Sequence, residues 1–329
     1  MITVLNSKVG LRPTRREVRR RTELLASIVL VAIIAAACGG TVEEDATAST
    51  EGNPGLRIVA TTTILGDVVS NIVGTDGAVD VLMPRGADPH DFQASAAQIA
   101  SVNRADLVIA NGLGLEESLT DVLASAADDG VTVVELAPLL DPLPFGGSNG
   151  AQDSDDPHVW LDPLRMVEGV RLIGAELAAI QPAIDWSSAA DAYATDLTAA
   201  HEAIVARLSA IPGERRRLVT NHDALGYFAD RYGFLVVGTV IPAGSTLADP
   251  SSEALAELIE VMQREGVSVI FGETTQPDAI ADAVAAELGQ EAQVVELFTG
   301  SLGEAGSGAD TLIGLLTTNA DRIASALAG

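Results

Sequence analysis

Three of the chain's four histidines stand just beyond apolar or proline-bounded segments, in Asp88-Pro89-His90-Asp91, Asp156-Pro157-His158-Val159-Trp160 and Thr220-Asn221-His222-Asp223. Neutral imidazole is a borderline ligand that suits zinc, copper, nickel and iron, and three imidazoles from separate loops can surround one ion at about 2.0–2.1 Å. Asp91 and Asp223 directly follow two of these histidines and are candidates for orienting the rings through the second nitrogen. Taken singly, each histidine is better explained as capping or bonding its own loop. His201 lies inside a helical stretch without a matching motif and is assigned that local role. Three histidines with an open water position also describe catalytic zinc, with Glu273 as general base in a secreted hydrolase. Against that stand the absence of HExxH-type spacing and a spread of the histidines over about 130 residues. A third alternative is an adhesin or scaffold whose purely structural metal stays bound until the chain unfolds.

Short apolar runs alternating with helical stretches must position these groups. From Leu56 the order is LRIVA, a helix over 63–73, VDVLM, a helix near 94–103, DLVIA and VTVVEL, then a loop over 142–156 and a helix over 163–180. This is the grammar of a parallel sheet with crossover helices. Residues 185–210 contain no Gly or Pro and carry apolar residues at helical spacing, which predicts one connector helix of about seven turns. The alternation then restarts with RLVTN, FLVVGTV, VSVIFGE and QVVELF, interleaved with helices and closed by one over 310–327. The expected fold is α/β, two lobes of a mostly parallel four-stranded sheet flanked by helices, joined by one long connector helix. The lobes are placed at 56–184 and 211–329. In such sheets ligands bind at the carboxyl ends of strands, and His222 follows RLVTN directly. Asp162 with Pro163 behind it reads as a helix cap.

The amino terminus is an address rather than a domain. Six arginines between Arg12 and Arg21 precede an apolar run from Leu24 to Ala37 that ends in Ala35-Ala36-Ala37 before Cys38, the only cysteine. Residues 1–37 have the layout of a signal peptide, and the run is short for a bilayer span of roughly 20 apolar residues. The segment resembles a bacterial lipoprotein signal, in which Cys38 becomes the lipid attachment point; Arg15-Arg16 also permits a twin-arginine export signal. Either route leads outside the cytoplasm, to a membrane-anchored or periplasmic location. Residues 38–55 are polar and aperiodic, as expected of a flexible tether.

The 329 residues carry 19 basic and 46 acidic side chains; without residues 1–37, which hold seven and two of these, 12 basic and 44 acidic remain, a net charge of −32. Such a surface repels polyanions, which excludes nucleic acid as a partner. Acidity gathers cations but does not select among them, so selection must come from specific ligands.

Five motifs in order, IVATTTILGDVVSNI, PRGADPHDFQASAAQIASVNRADLVIANGLGLE, DPHVWLDP, TNHDALGYFADRYGF and IFGETTQPDAI, resemble the metal-binding subunits of zinc and manganese ABC importers. This is the cluster A-I, TroA-like family, and the zinc-type solute-binding lipoproteins within it are the nearest in pattern. The resemblance runs from about Leu56 to the end of the chain. It implies a non-enzymatic protein that captures a divalent metal between two lobes and delivers it to ABC permease and ATPase subunits. A metallochaperone is an additional partner, and a monomer is expected. The metal ligands it implies are His90 and His158 from the first lobe and His222 from the second. Manganese-type members often carry glutamate at the third position, so His222 tilts the expected ion from Mn2+ toward Zn2+. The family's fourth ligand, an aspartate before Ser-Leu, is replaced here by Gly300 in Thr299-Gly300-Ser301-Leu302. That leaves water or Glu273, as fourth ligand or as a support behind the ligands. The loop over 142–156 retains Asp153, Asp155 and Asp156 but lacks the histidines that zinc members often concentrate there, which implies little ion gathering.

Overall fold

The protein is described by a computed structural model covering residues 55–145, 154–289 and 292–328. The expected signal peptide, Cys38 and nearly all of the tether lie outside the described residues, as does Asp153. Two four-stranded, wholly parallel sheets form. The first has the order β2-β1-β3-β4, from β1 (Leu56–Ala60), β2 (Gly77–Val81), β3 (Leu107–Ala110) and β4 (Thr132–Glu135). The second has the order β6-β5-β7-β8, from β5 (Arg217–Thr220), β6 (Leu235–Thr239), β7 (Val269–Glu273) and β8 (Gln293–Leu297).

Both faces of the central strands are covered, which explains why they read as continuous apolar runs. Successive side chains point to opposite faces. Ile58, Leu107 and Ile109 face one core while Val59, Val108 and Ala110 face another. In the second sheet Leu218, Val269 and Phe271 face the shared core, and Val219 and Ile270 face the outer one. The shared core runs without a break from β1 through the long helix to β5, β7 and β8. The two smaller cores sit on the far sides.

Most of the helices begin at a side-chain cap. The first lobe holds α1 (Thr63–Val73), α2 (Ala96–Val102), α3 (Thr120–Asp128) and α4 (Pro163–Ile180). Thr62 caps α1 by accepting Leu65 N–H at 3.1 Å, and Ser95 forms a reciprocal capping box with Gln98 on α2. The long helix is α5 (Trp186–Leu208), 23 residues capped by Asp185, and it packs on α4, α1 and the last helix. The second lobe carries α6 (Gly226–Tyr232), α7 (Ser252–Glu265), α8 (Ala279–Leu288) and α9 (Leu312–Leu327). Among the described residues no helix is long and apolar enough to cross a membrane.

One element is displaced from its expected position. VDVLM predicts a strand over 79–83, whereas β2 spans Gly77–Val81. Leu82 and Met83 are deeply buried beyond the strand, while the edge residues before them are only half covered. The run pairs with β1 along its length, Leu82 and Met83 still donating to Ala60 O and Thr61 O at 2.9 and 3.1 Å, but its last two residues have left the edge for the core.

Asp162 ties local structure to tertiary structure. Its Oδ1 accepts Leu164 N–H at 2.9 Å, capping α4, and Arg231 of α6 in the opposite lobe grips both oxygens at 2.9 and 2.6 Å. The carboxylate is buried. We expect Asp162→Ala to lower the unfolding free energy of the full chain by about 2–4 kcal/mol, and Asp162→Asn, which keeps a cap, by roughly half of that, in denaturant titration.

Candidate metal centre

All the residues of the centre lie at the carboxyl ends of strands, where loops leave both sheets toward the cleft. His90 follows β2, His158 follows β4 by way of the 142–156 loop, and His222 stands two residues beyond β5. The three rings are buried, at 4%, 1% and 2% exposure. Their Nε2 atoms converge: His222 to His158 is 3.1 Å and His90 to His158 is 3.4 Å. Three nitrogens bound to one ion at about 2.0–2.1 Å in tetrahedral directions stand about 3.3 Å apart, so these spacings match a shared ion. Donor atoms of the three histidines lie within 4.8 Å of one another, and among the described residues no further His, Cys, Asp or Glu joins that group. His201 stacks on Tyr232 with its Nδ1 3.3 Å from the phenol oxygen, far from the group in its local role.

The far nitrogens explain why the near ones point inward. His158 Nδ1 lies 2.7 Å from Asp156 Oδ1, and His222 Nδ1 is bonded to Glu273 Oε1. With the proton on Nδ1 in each ring, both Nε2 atoms present lone pairs to the same point. The orienting carboxylates are therefore Asp156 and Glu273, rather than the neighbours Asp91 and Asp223. Asp156 carries a usable signal: in both Asp-Pro-His tripeptides the aspartate Oδ1 accepts the histidine N–H two residues on, at 3.0 Å for Asp88 and 2.9 Å for Asp156. Only Asp156 also reaches its histidine's ring. Sequence reasoning assigned Asp156 to a loop and missed this role.

Glu273 ends β7 and is buried, with Oε1 on His222 and Oε2 accepting Thr299 Oγ1–H at 2.6 Å. Oε1 thus holds the ring of His222, and Oε2 is taken by Thr299. Gly300 lies beside this group, and a Cβ built on it would stand 2.9 Å from Pro89 Cδ. The position that resembles a ligand site in sequence is filled by the Pro89 ring. Trp160 closes another side: its indole N–H donates to Thr299 O across the lobes at 2.8 Å, and its ring meets His158 edge to face.

Burial pushes His90 down to about 3, with His158 and His222 adding to the effect, and burial also holds His158 well below its ordinary value. For His222 burial acts in the same direction, but the charge and hydrogen bond of Glu273 outweigh it and hold the imidazole above 6.5. Burial alone would raise Glu273, yet His222 and Thr299 keep it below its ordinary value. Two rings are therefore held neutral, ready to ligate, and the third is where a proton competes.

The family described as "Zinc-uptake complex component A periplasmic" (ZnuA) matches residues 58–326. The chain belongs to that family. Its relatives include the manganese-binding lipoprotein MntA of Halalkalibacterium halodurans, 33% identical over 302 residues that cover 91% of this chain and 96% of the relative. The zinc-binding protein TroA of Treponema pallidum is 31% identical over 289 residues, covering 85% and 91%. The iron-binding protein YfeA of Yersinia pestis is 30% identical over 290 residues, covering 83% and 88%. The solved structure of the Treponema TroA superposes with a TM-score of 0.74 over 83% of this chain and 99% of that one. The ZnuA/TroA-like proteins are metal-binding components of ABC importers that work outside the cytoplasm, and they are not enzymes. That removes the hydrolase alternative, and Glu273, its candidate base, is occupied with His222.

Asp156→Asn and Glu273→Gln keep size while removing the carboxylate that orients a ring. Each is expected to weaken divalent-ion affinity 10- to 100-fold in competitive chelator titration, with the circular dichroism spectrum unchanged.

Proposed function

We propose that this ZnuA-family protein captures one zinc ion with His90, His158 and His222 and delivers it to the permease of its importer. The convergence of three buried imidazoles, with the Nε2 atoms of His222 and His90 3.1 and 3.4 Å from that of His158, carries this reading. Relatives are named for zinc, manganese and iron, so the family alone does not choose the ion. The donor set supports zinc: it is all nitrogen, the nearby Glu273 is turned to His222 and Thr299, and glycine stands at position 300. Hard manganese prefers oxygen, whereas a tetrahedral site of three imidazoles suits zinc, with water as the fourth ligand. Manganese remains the alternative cargo. The signal layout before Cys38, and lipoproteins among the relatives, support a lipid anchor at that cysteine. The unbroken core through α5 supports small lobe movements rather than wide hinge closure.

Metal analysis and competitive titration of the full chain, wild type against His222→Ala, across zinc, manganese and iron, test the assignment. One zinc retained by the wild type and lost in the variant, with the fold intact, is the expected result. Chelator should strip the ion and leave the chain folded, since a transport site releases what a structural site does not. Manganese preference, or no retained ion, contradicts the reading.

Affinity should also fall with pH. A proton on His222 blocks its ligation, and Glu273 holds that proton on at higher pH than for an ordinary imidazole. Below that point affinity drops about tenfold per pH unit for the one proton displaced. The loss therefore begins above pH 6.5, and a flat affinity from pH 8 to pH 5 contradicts this assignment.

A further inference from the structure

His90 differs from the other two histidines of the centre in having no carboxylate on its ring. Its Nδ1 is buried without a hydrogen-bond partner. Its place is set through its main chain instead. Asp88 Oδ1 accepts the His90 N–H at 3.0 Å. The other oxygen, Oδ2, reaches across the cleft, where Thr246 Oγ1 donates to it at 2.5 Å and Gln276 Nε2 donates as well. Thr246 belongs to the loop after β6 and Gln276 to the loop after β7. Between Asp88 and His90, Pro89 rests against Gly300 in the loop after β8, so close that a side chain there would force it away. The tripeptide that brings in His90 is therefore held by three loops of the opposite lobe, and two of the three grips pass through one carboxylate. Asp88 is not in the group of converging donors.

We propose that Asp88 is a positioning residue that latches the two lobes across the cleft and, by keeping His90 in register with His158 and His222, sets how long a bound ion stays. This rests on the three histidines being the ligands. For an ion to leave this buried site, a ligand must retreat and water must enter. His158 and His222 are tied at Nδ1 to buried carboxylates of their own lobes, so His90 is the ligand free to withdraw. Its withdrawal with the loop requires the Oδ2 bonds to Thr246 and Gln276 to break. Hydrogen bonds to an ionised carboxylate are about twice as strong as neutral ones. The bonds resist the retreat of His90 that departure requires, so the latch acts on the release rate, where most affinity differences of this kind lie.

The test uses the full chain loaded with zinc, following release into excess chelator and association by stopped flow. Thr246→Val and Gln276→Leu remove the two donors without altering Asp88 or any histidine. The double variant is expected to release zinc about tenfold faster, with association within about twofold of wild type and the unfolding midpoint of the metal-free chain unchanged. Thr246→Ser, which keeps the hydroxyl, should release at the wild-type rate. In an Asp88→Ala background, adding Gln276→Leu should change nothing further, because the shared acceptor is gone. Wild-type release by a double variant that still binds zinc overturns the latch and leaves the ligand assignment standing. A parallel change in both rate constants together with a lowered unfolding midpoint also overturns it, as general loosening. A wild-type chain that retains no zinc sinks the functional reading, and the latch with it.

Discussion

Three neutral imidazoles that direct their Nε2 lone pairs at one point repel one another unless a cation or a proton stands between them. At 3.1 and 3.4 Å this repulsion is strong enough that the surrounding structure must impose the arrangement. Much of the cleft architecture can be understood as that imposition. Asp156 and Glu273 fix the two rings from behind, Trp160 presses on His158 from the side, and Asp88 and Pro89 hold the His90 loop against the opposite lobe. A divalent cation bound at that point would convert the mutual repulsion of the lone pairs into three bonds. The affinity of such a centre depends on how firmly the unfavourable geometry is held before the ion arrives.

Holding it requires buried carboxylates, which are costly unless partnered. The chain meets most of that cost by giving them defined partners, Asp156 Oδ2 alone of their oxygens being buried without one. Glu273 accepts from His222 and Thr299, and Asp156 accepts both the backbone and the ring of His158. A third buried acid, Glu116, accepts Thr61 Oγ1–H and the N–H groups of Asn111 and Gly112. Asn111 in turn donates its side-chain amide to Pro157 O, next to His158. The turn after β3 thereby braces the loop that delivers the second histidine. Gly112 within it has φ 82°, a left-handed conformation that a side chain would strain.

The strongly acidic surface attracts cations without choosing among them. Choice rests with a few atoms in the cleft, where nitrogen donors converge and the nearest carboxylate is turned away from them. The lobes supplying those atoms share a single apolar core through α5, so they behave as two halves of one packed body. The rings are buried where loops at the carboxyl ends of the strands meet, and hydrogen bonds from Thr246 and Gln276 tie one of those loops across to the opposite lobe.

The α/β alternation, the two-lobe plan, the long helix and the three histidines that converge were legible in the sequence. Each depends on local rules: apolar runs bounded by turn residues, helical spacing without Gly or Pro, and a capping Ser, Thr or Asp ahead of most helices. The motif order also carried the family. Partners distant in the chain were not legible. Glu273 lies 51 residues from His222, and Thr246 and Gln276 lie 158 and 188 residues from Asp88. The obvious guess, that the adjacent Asp91 and Asp223 orient the rings, failed because a neighbour along the chain is carried past the ring by the backbone, while the end of an adjacent parallel strand is brought beside it. Pairing of β5 with β7 sets Glu273 against His222, and closure of one lobe on the other sets Pro89 on Gly300. The sequence by itself determined which residues have the chemistry to hold a metal, and in Asp-Pro-His it placed Asp156 two residues from the ring it aims; only the tertiary structure decided that Glu273 aims His222 and that Asp88 and Pro89 meet the opposite lobe, because those depend on strand order and lobe contact rather than on spacing along the chain.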